Sequence, residues 1–301
     1  MIVQVNPGTY TSDDIDARLY RGEIAVQQNN HNVGMVANII YGIANIQTQW
    51  LWILGDDDKI TNQAGFHIES GIRIAEEEQA SGILFNQWHA TMAASPMVSQ
   101  NLETLLQSTG FSDILFITGF VWRLSFFQAN IVTFVDYAYS RASQALILLA
   151  SQAEGTSKLL IIKQPLIEYE YVVRWSRLDY LQRITALFTH PSLNPRAIRG
   201  QVSDLLWPQC RWAFLSAAHE QLKAGEITLP EWFGAAAAFS THLFLSLPPA
   251  KAIQRISYIA QIPFQIYTPT YLLRLILSKG RTRLARLFHR RRPPTPIQPA
   301  R

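Results

Sequence analysis

The sequence predicts an α/β fold, with a mostly parallel sheet flanked by helices and a mainly helical C-terminal region after it. Three observations predict this. Short apolar runs alternate with helical stretches at close spacing through the first 90 or so residues. From about Asp136 the apolar spacing becomes that of helices. The 301 residues are 48% hydrophobic and 11% aromatic, enough to bury a full core as one large domain or two smaller ones.

The elements follow in order. "IVQVN" (2–6) is predicted as a strand, ended by the turn-forming "NPG". "EIAVQQN" (23–29) is a second short strand. In "VANIIYGIANI" (36–46), Ile39, Ile40, Ile43 and Ile46 fall on one side of a helix. "WLWIL" (50–54) returns to strand. "NQAGFHIESGIRIAEEEQA" (62–80) is helical and leads to the strand "GILFNQW" (82–88). "DILFITGFVWR" (113–123) is apolar with a glycine break. "RASQALILLA" (141–150) and "SRLDYLQRITALF" (176–188) are the clearest of the later helices. Three parts are expected: 1–135 around the sheet, 136–270 mainly helical, and 271–301 as a basic amphipathic helix with a disordered, Pro-rich end. No internal repeat occurs.

Charge is distributed unevenly. Of 26 Lys and Arg residues, 11 follow Glu231, and no Asp or Glu occurs after it. Residues 1–231 carry the other 15 basic residues against 22 acidic ones. An acidic body with a basic end points to an anionic partner. Anionic lipid is expected and nucleic acid is not, since the body would repel phosphates and no nucleic-acid-binding motif occurs. The lone Cys210 excludes a disulfide framework and a multi-cysteine zinc site. The seven histidines share no i, i+4 or H-x-H spacing, which disfavours a histidine-ligated zinc. "MIVQVNPGTY" lacks the features of a signal peptide, and no apolar run reaches the length of a membrane span. A cytoplasmic location is expected.

The stretch "WLWILGDDDKI" (50–60) sets three consecutive aspartates against the end of an apolar strand. In open α/β sheets ligands bind beyond the carboxyl ends of strands. Gly55 permits a sharp turn there. Three adjacent carboxylates repel one another and gain from a bound cation. Oxygen donors suit Mg²⁺ or Mn²⁺, often shared with substrate phosphates. The bland alternatives are a solvated turn, or Asp58 capping the next helix.

"NNHNVGMVANIIYGIANIQTQWLWILGDDD" (29–58), with a weaker likeness in "TGFVWR" (118–123), resembles the nucleotide-sugar-binding half of family 2 glycosyltransferases of GT-A fold. The branch it most resembles is the O-antigen or abequosyltransferase-like one. Asn32, Gly34 and Asn38 match the family's turn and helix start. Trp52, Leu54, Gly55, Asp56, Asp57 and Asp58 match its strand end, whereas "ANIQTQW" replaces the usual small residue and tyrosine. The resemblance implies a metal-dependent, inverting transferase using Mn²⁺ or Mg²⁺. Its donor would be a nucleotide-diphosphate sugar, and its acceptor a glycan or lipid-linked sugar in surface polysaccharide synthesis. It implies that Asp57 and Asp58 ligate the metal, and that Asn6, Asn32, Gly34, Asn38, Asp56 and Asp58 line the donor site. Asn6 stands where the family has an aspartate that reads the base, and a plain Asx turn before Pro7 explains it equally. The family's opening strand, of the type "VPTYNR", has no counterpart here. Either the true start lies upstream of Met1, or this is a shortened relative with an impaired donor site. A non-catalytic scaffold of polysaccharide synthesis is therefore the alternative function.

An inverting transferase also needs a base for the acceptor hydroxyl. The resemblance puts it downstream of "TGFVWR", often in an "E-D" pair; Asp136 is the one acid there and is expected to serve, a favourable charge at a helix N-terminus being the alternative. Glu168 and Glu170 in "PLIEYEY" are rivals, and a solvated strand edge explains both. Trp88 and Trp122 could stack on a sugar, or pack in the core. In "LLRLILSKGRTRLARLFHRRR" (272–292), Leu273, Leu277, Leu284, Leu287 and Phe288 share one helical face among basic residues. Such a helix lies on anionic membrane surfaces, here the inner leaflet, unless it packs on its own body.

Overall fold

The computed structural model describes residues 2–5, 25–55, 58–86, 95–140, 142–168, 185–222 and 224–267. The expected strands open the chain: β1 (Ile2–Val5) pairs in parallel with β2 (Ala25–Gln28). Helix α1 (Gly34–Ala44), strand β3 (Trp50–Trp52), the two-residue β4 (Lys59–Ile60) and helix α2 (Ala64–Glu77) come next. Strands β5 (Gly82–Phe85) and β6 (Met97–Ser99) follow, then α3 (Leu102–Ser108) and α4 (Phe111–Leu115). A 3₁₀ turn (Ile117–Gly119) leads into β7 (Phe120–Arg123). Helices α5 (Leu124–Ala129), α6 (Ile131–Asp136) and α7 (Ser143–Glu154) precede β8 (Leu159–Ile162) and β9 (Ile167–Glu168).

The central sheet has the order β3-β7-β5-β8-β6. β5 and β8 pair in parallel, while β3–β7, β5–β7 and β6–β8 are antiparallel. Strands β3, β5 and β8 therefore point the same way, and β7 and β6 are inserted in reverse. The architecture is α/β, with helices on both faces of this sheet and a helical C-terminal region. β5 and β8 are buried at all four positions, which is why "GILF" and "LLII" are continuous apolar runs rather than alternating ones.

Side chains of successive strand residues divide between the two faces. Ile83, Phe85, Val121, Leu160 and Ile162 enter one apolar core with Ala64 and Ala75 of α2. Leu84, Phe120, Trp122, Leu159 and Ile161 enter the other, with Leu146 and Leu149 of α7. Gly71 lets α2 lie close against the first face, since a Cβ there would stand 2.9 Å from Ile162 Cδ1 and 3.2 Å from Phe85 Cζ. The buried Gln152 ties α7 to the sheet's edge. Its Nε2 donates to Ser157 O (2.8 Å) and its Oε1 accepts from Ser99 Oγ (2.8 Å).

The sheet does not end at residue 135. β8 lies beyond that expected boundary and stands inside the sheet, so the sheet reaches Ile162. The four-residue "LLII" follows a helix after a four-residue turn and carries no alternation to set it apart. The C-terminal region consists of 3₁₀ turns at Thr185–Thr189 and Pro191–Leu193, α8 (Arg196–Ser216), a π-helical turn (Ala217–Leu222), α9 (Leu229–Ser246) and α10 (Pro249–Tyr267). Thr228 caps α9: Glu231 N donates to its Oγ1 (3.3 Å), and its own N donates to Glu231 Oε2 (2.6 Å). Asp204 of α8 holds α10 through Lys251 Nζ (2.7 Å) and Arg255 Nη2 (2.6 Å). The Arg255 guanidinium also lies 4.8 Å from the centre of the Trp207 ring. The basic amphipathic segment expected at 271–301 lies outside the described residues.

His242 of α9 stacks on Phe188, with ring centroids 5.8 Å apart. Burial, and secondarily the Arg199 guanidinium, hold its pKa below the ordinary 6.5. The folded state thus binds fewer protons than the unfolded chain near pH 6. The stabilisation is present above pH 6.5 and is lost as pH falls through the lowered pKa. Urea unfolding of the His242→Gln variant should show a shallower loss of stability below pH 6.5 than the parent protein does.

Candidate functional site

Because β3, β5 and β8 run together, their carboxyl ends lie along one edge of the sheet. The amino ends of the reversed β7 and β6 meet them there. This edge gathers residues 53–55 and Asp58 after β3, the Ile117–Gly119 turn before β7, Asn86 after β5 and Lys163 after β8.

Asp58 is half-buried on this edge. Its Oδ2 accepts from Gly55 N (2.8 Å) and from the hydroxyl of Thr118, and its own N donates weakly to Gly55 O (3.4 Å). The turn from Gly55 to Asp58 is thereby closed on itself and pinned to the segment entering β7. Thr118 is almost fully buried, and its carbonyl accepts from Trp52 Nε1 (2.8 Å). One residue thus fixes both the end of β3 and the carboxylate after it. Both side-chain bonds fall on Oδ2. Asp56 and Asp57 lie outside the described residues, as does Asn6. Among the described residues no group of three or more His, Cys, Asp or Glu side chains is placed to hold a metal.

A second tie crosses the same edge. β4, directly after Asp58, pairs antiparallel with β9, and Thr61 N donates to Leu166 O (2.9 Å). Glu168, a rival for the catalytic base, forms an ion pair with Lys59 across this pairing, both side chains being exposed. That is the solvated strand edge expected as its alternative. Glu170 lies outside the described residues.

Asn32, Gly34 and Asn38 form a separate cluster where β2 leads into α1. Asn32 Oδ1 accepts from Gly34 N (2.9 Å), and Asn29 Nδ2 donates to Asn38 Oδ1 (2.6 Å). Gly34 has φ +78°, which strains any residue with a Cβ. At the far end of α1, Asn45 Nδ2 donates to Gln27 Oε1 of β2 (3.0 Å), a second tie between α1 and the strand side. Asn32 and Asn38 thus have local structural duties, and no described hydrogen bond joins them to Asp58.

Asp136 is the last residue of α6 and is exposed. A negative charge at a helix C-terminus gains nothing from the backbone dipole. No hydrogen bond or ion pair among the described residues connects it to the Asp58 turn. Trp122 is 1% exposed and lies between Phe120 (centroids 4.8 Å apart, 11° between planes) and Phe126 (5.8 Å, 16°). It is a core residue and presents no face to a sugar. Trp88 lies outside the described residues.

Two residues of the edge went unread in the sequence. Thr118 is one, and its signal was a lone hydroxyl inside the apolar "ILFITGFVW". Asn86 is the other, fully buried directly after β5. Its Nδ2 donates to Ser108 O (3.3 Å) and its Oδ1 accepts from Thr109 Oγ1 (3.2 Å), which fastens the end of α3 to the sheet. Beside it, a shallow cavity of about 240 Å³ is lined by Ser95, Thr104, Gln107 and Lys163, among others. Replacing Thr118 by Val removes the hydroxyl donor while keeping the shape, leaving Asp58 half-buried with one bond fewer. Thermal or urea unfolding should show a loss of about 1–3 kcal/mol.

No protein-family model and no curated protein matches this chain. Among solved structures it is similar to S. aureus TarS 1–349, alone and in complex with UDP, and to S. aureus TarS. The identity is 11% in all three cases, with TM-scores of 0.48, 0.48 and 0.49. The matches cover 85%, 85% and 81% of this chain, and 75%, 75% and 44% of theirs. Likeness at this level is one of overall fold alone.

Proposed function

We propose that this chain is a metal-dependent, inverting glycosyltransferase. It would move a sugar from a nucleotide-diphosphate donor to a glycan or lipid-linked acceptor in surface polysaccharide synthesis. One observation carries the reading. The "WLWILGDDD" segment resembles the donor-site strand of family 2 enzymes; its Trp50–Trp52 form a sheet strand, and Asp58 stands at the carboxyl edge. That edge is where α/β sheets bind ligands.

The donor chemistry of the turn fits Mg²⁺ or Mn²⁺, which take oxygen ligands. Asp57 would be the principal ligand. Asp58 would contribute Oδ1, since Oδ2 is engaged by Gly55 and Thr118. When bound, the ion offsets the charge of the departing diphosphate. The chain's own part is to hold Asp58 in one orientation through Thr118, so that the carboxylates need no rearrangement as the diphosphate arrives. Asn6, Asn32, Gly34, Asn38 and Asp56 would line the donor site. Asp136 would accept the proton of the acceptor hydroxyl. The basic end after residue 270 would keep the enzyme on the inner face of the membrane, within reach of a lipid-linked acceptor.

A non-catalytic scaffold on the same fold is the second reading. The observation in its favour is the place of Asp136, exposed on the last turn of α6 and unconnected to Asp58 by any described bond.

Calorimetric titration with UDP-, GDP- and dTDP-sugars, with and without Mn²⁺, tests the proposal. One nucleotide class should bind in a metal-dependent way, and Asp57→Ala should weaken it at least about tenfold, as expected on losing a charged ligand. Binding of no nucleotide would remove the transferase reading.

A further inference from the structure

Most surface helices bury one apolar face and show a polar one to solvent. α9 departs from this. Its inner face buries Trp232, Ala235, Phe239 and Leu243. Its outer face exposes Phe233, Ala237, Ala238, Thr241, Phe244 and Leu245, with Phe233, Phe244 and Leu245 at 41%, 51% and 55% of full exposure. From Trp232 to Ala250 there is no Asp, Glu, Lys or Arg. A helix apolar on both faces belongs either in a core or in lipid. No described helix is long and apolar enough to cross a membrane, so α9 is suited to lying along a surface.

The charge that follows it in sequence selects that surface. After Glu231 the sequence has 11 basic residues and no acidic one. Asp204 engages Lys251 and Arg255, and the other nine basic residues follow position 267. An apolar helix face continuous in sequence with an acid-free, basic end complements a bilayer of anionic lipid. A second copy of the chain docked face to face would instead bring two acid-free stretches together.

We infer that the outer face of α9, centred on Phe233, Phe244 and Leu245, inserts into the interfacial layer of an anionic membrane. This goes beyond attraction by the basic tail. The tail supplies a long-range pull that salt screens, whereas the α9 face supplies apolar burial that salt leaves intact. The inference does not depend on nucleotide binding, so the two can fail separately.

Co-sedimentation of the full chain with phosphatidylcholine vesicles, with and without phosphatidylglycerol, provides the test. It is run at low salt and at about 1 M salt, where screening is nearly complete. The protein should bind the anionic vesicles and keep part of that binding at high salt. Phe233→Ser with Phe244→Ser and Leu245→Ser should reduce the salt-resistant part by about tenfold or more. Phe66→Ser, at a still more exposed aromatic of α2, should leave it unchanged. Leu245→Cys carrying an environment-sensitive dye gives a second readout, since the native Cys210 is fully buried. Its emission should shift to the blue only when anionic vesicles are added. Two results would overturn the inference: unchanged binding by the triple variant together with an unshifted dye, or a dye already shifted without lipid in a dimer that the triple variant dissociates.

Discussion

The antiparallel pairing of β3 with β7 is the constraint on which the candidate site depends. In this pairing Trp52 faces Val121, so the residues just before β7 come level with those just after β3. Thr118 is thereby placed to accept from Trp52 through its carbonyl and to donate to Asp58 through its hydroxyl. Were β7 parallel to β3, its amino end would lie at the opposite edge and Asp58 would have no such anchor. The reversal of one strand thus fixes the Asp58 carboxylate.

Burial of the sheet keeps that pairing in register. Trp122 sits between Phe120 and Phe126, and its neighbour Val121 enters the core on the other face. A shift of one residue would turn Trp122 toward the α2 side and Val121 toward α7, exchanging a large side chain for a small one in both cores. The register that positions Thr118 is therefore set by volume and burial on two faces, and polar contacts at the edge add to it. The helical C-terminal region closes the α7 side and is held through Asp204, whose two cationic partners both come from α10.

Local structure was legible in the sequence where periodicity was clean. α1, α2, β3 and β5 stand where their apolar spacing put them, because each is specified by its own residues. β8 was not legible. Four apolar residues after a long helix have no alternation, and only pairing with β5, some 75 residues earlier, makes them a strand. At the site, the acidic turn was legible from glycine and charge, but Thr118 was not, since its partner is 60 residues away in sequence. Trp122 shows the converse. Composition allowed it a role in stacking on a sugar, and the aromatic neighbours that enclose it appear only in three dimensions. The uncharged outer face of α9 was likewise hidden, because a helix with apolar residues all round does not declare which side is covered.

Under the proposed function, the aspartates after β3 would hold a divalent cation together with a nucleotide diphosphate. Crystals grown with Mn²⁺ and the tightest-binding nucleoside diphosphate, measured at the manganese absorption edge, test it most directly. The proposal predicts an anomalous peak within ligating distance of Asp57, with Asp58 still bonded to Thr118. A nucleotide bound elsewhere, or a manganese peak away from Gly55–Asp58, would contradict it.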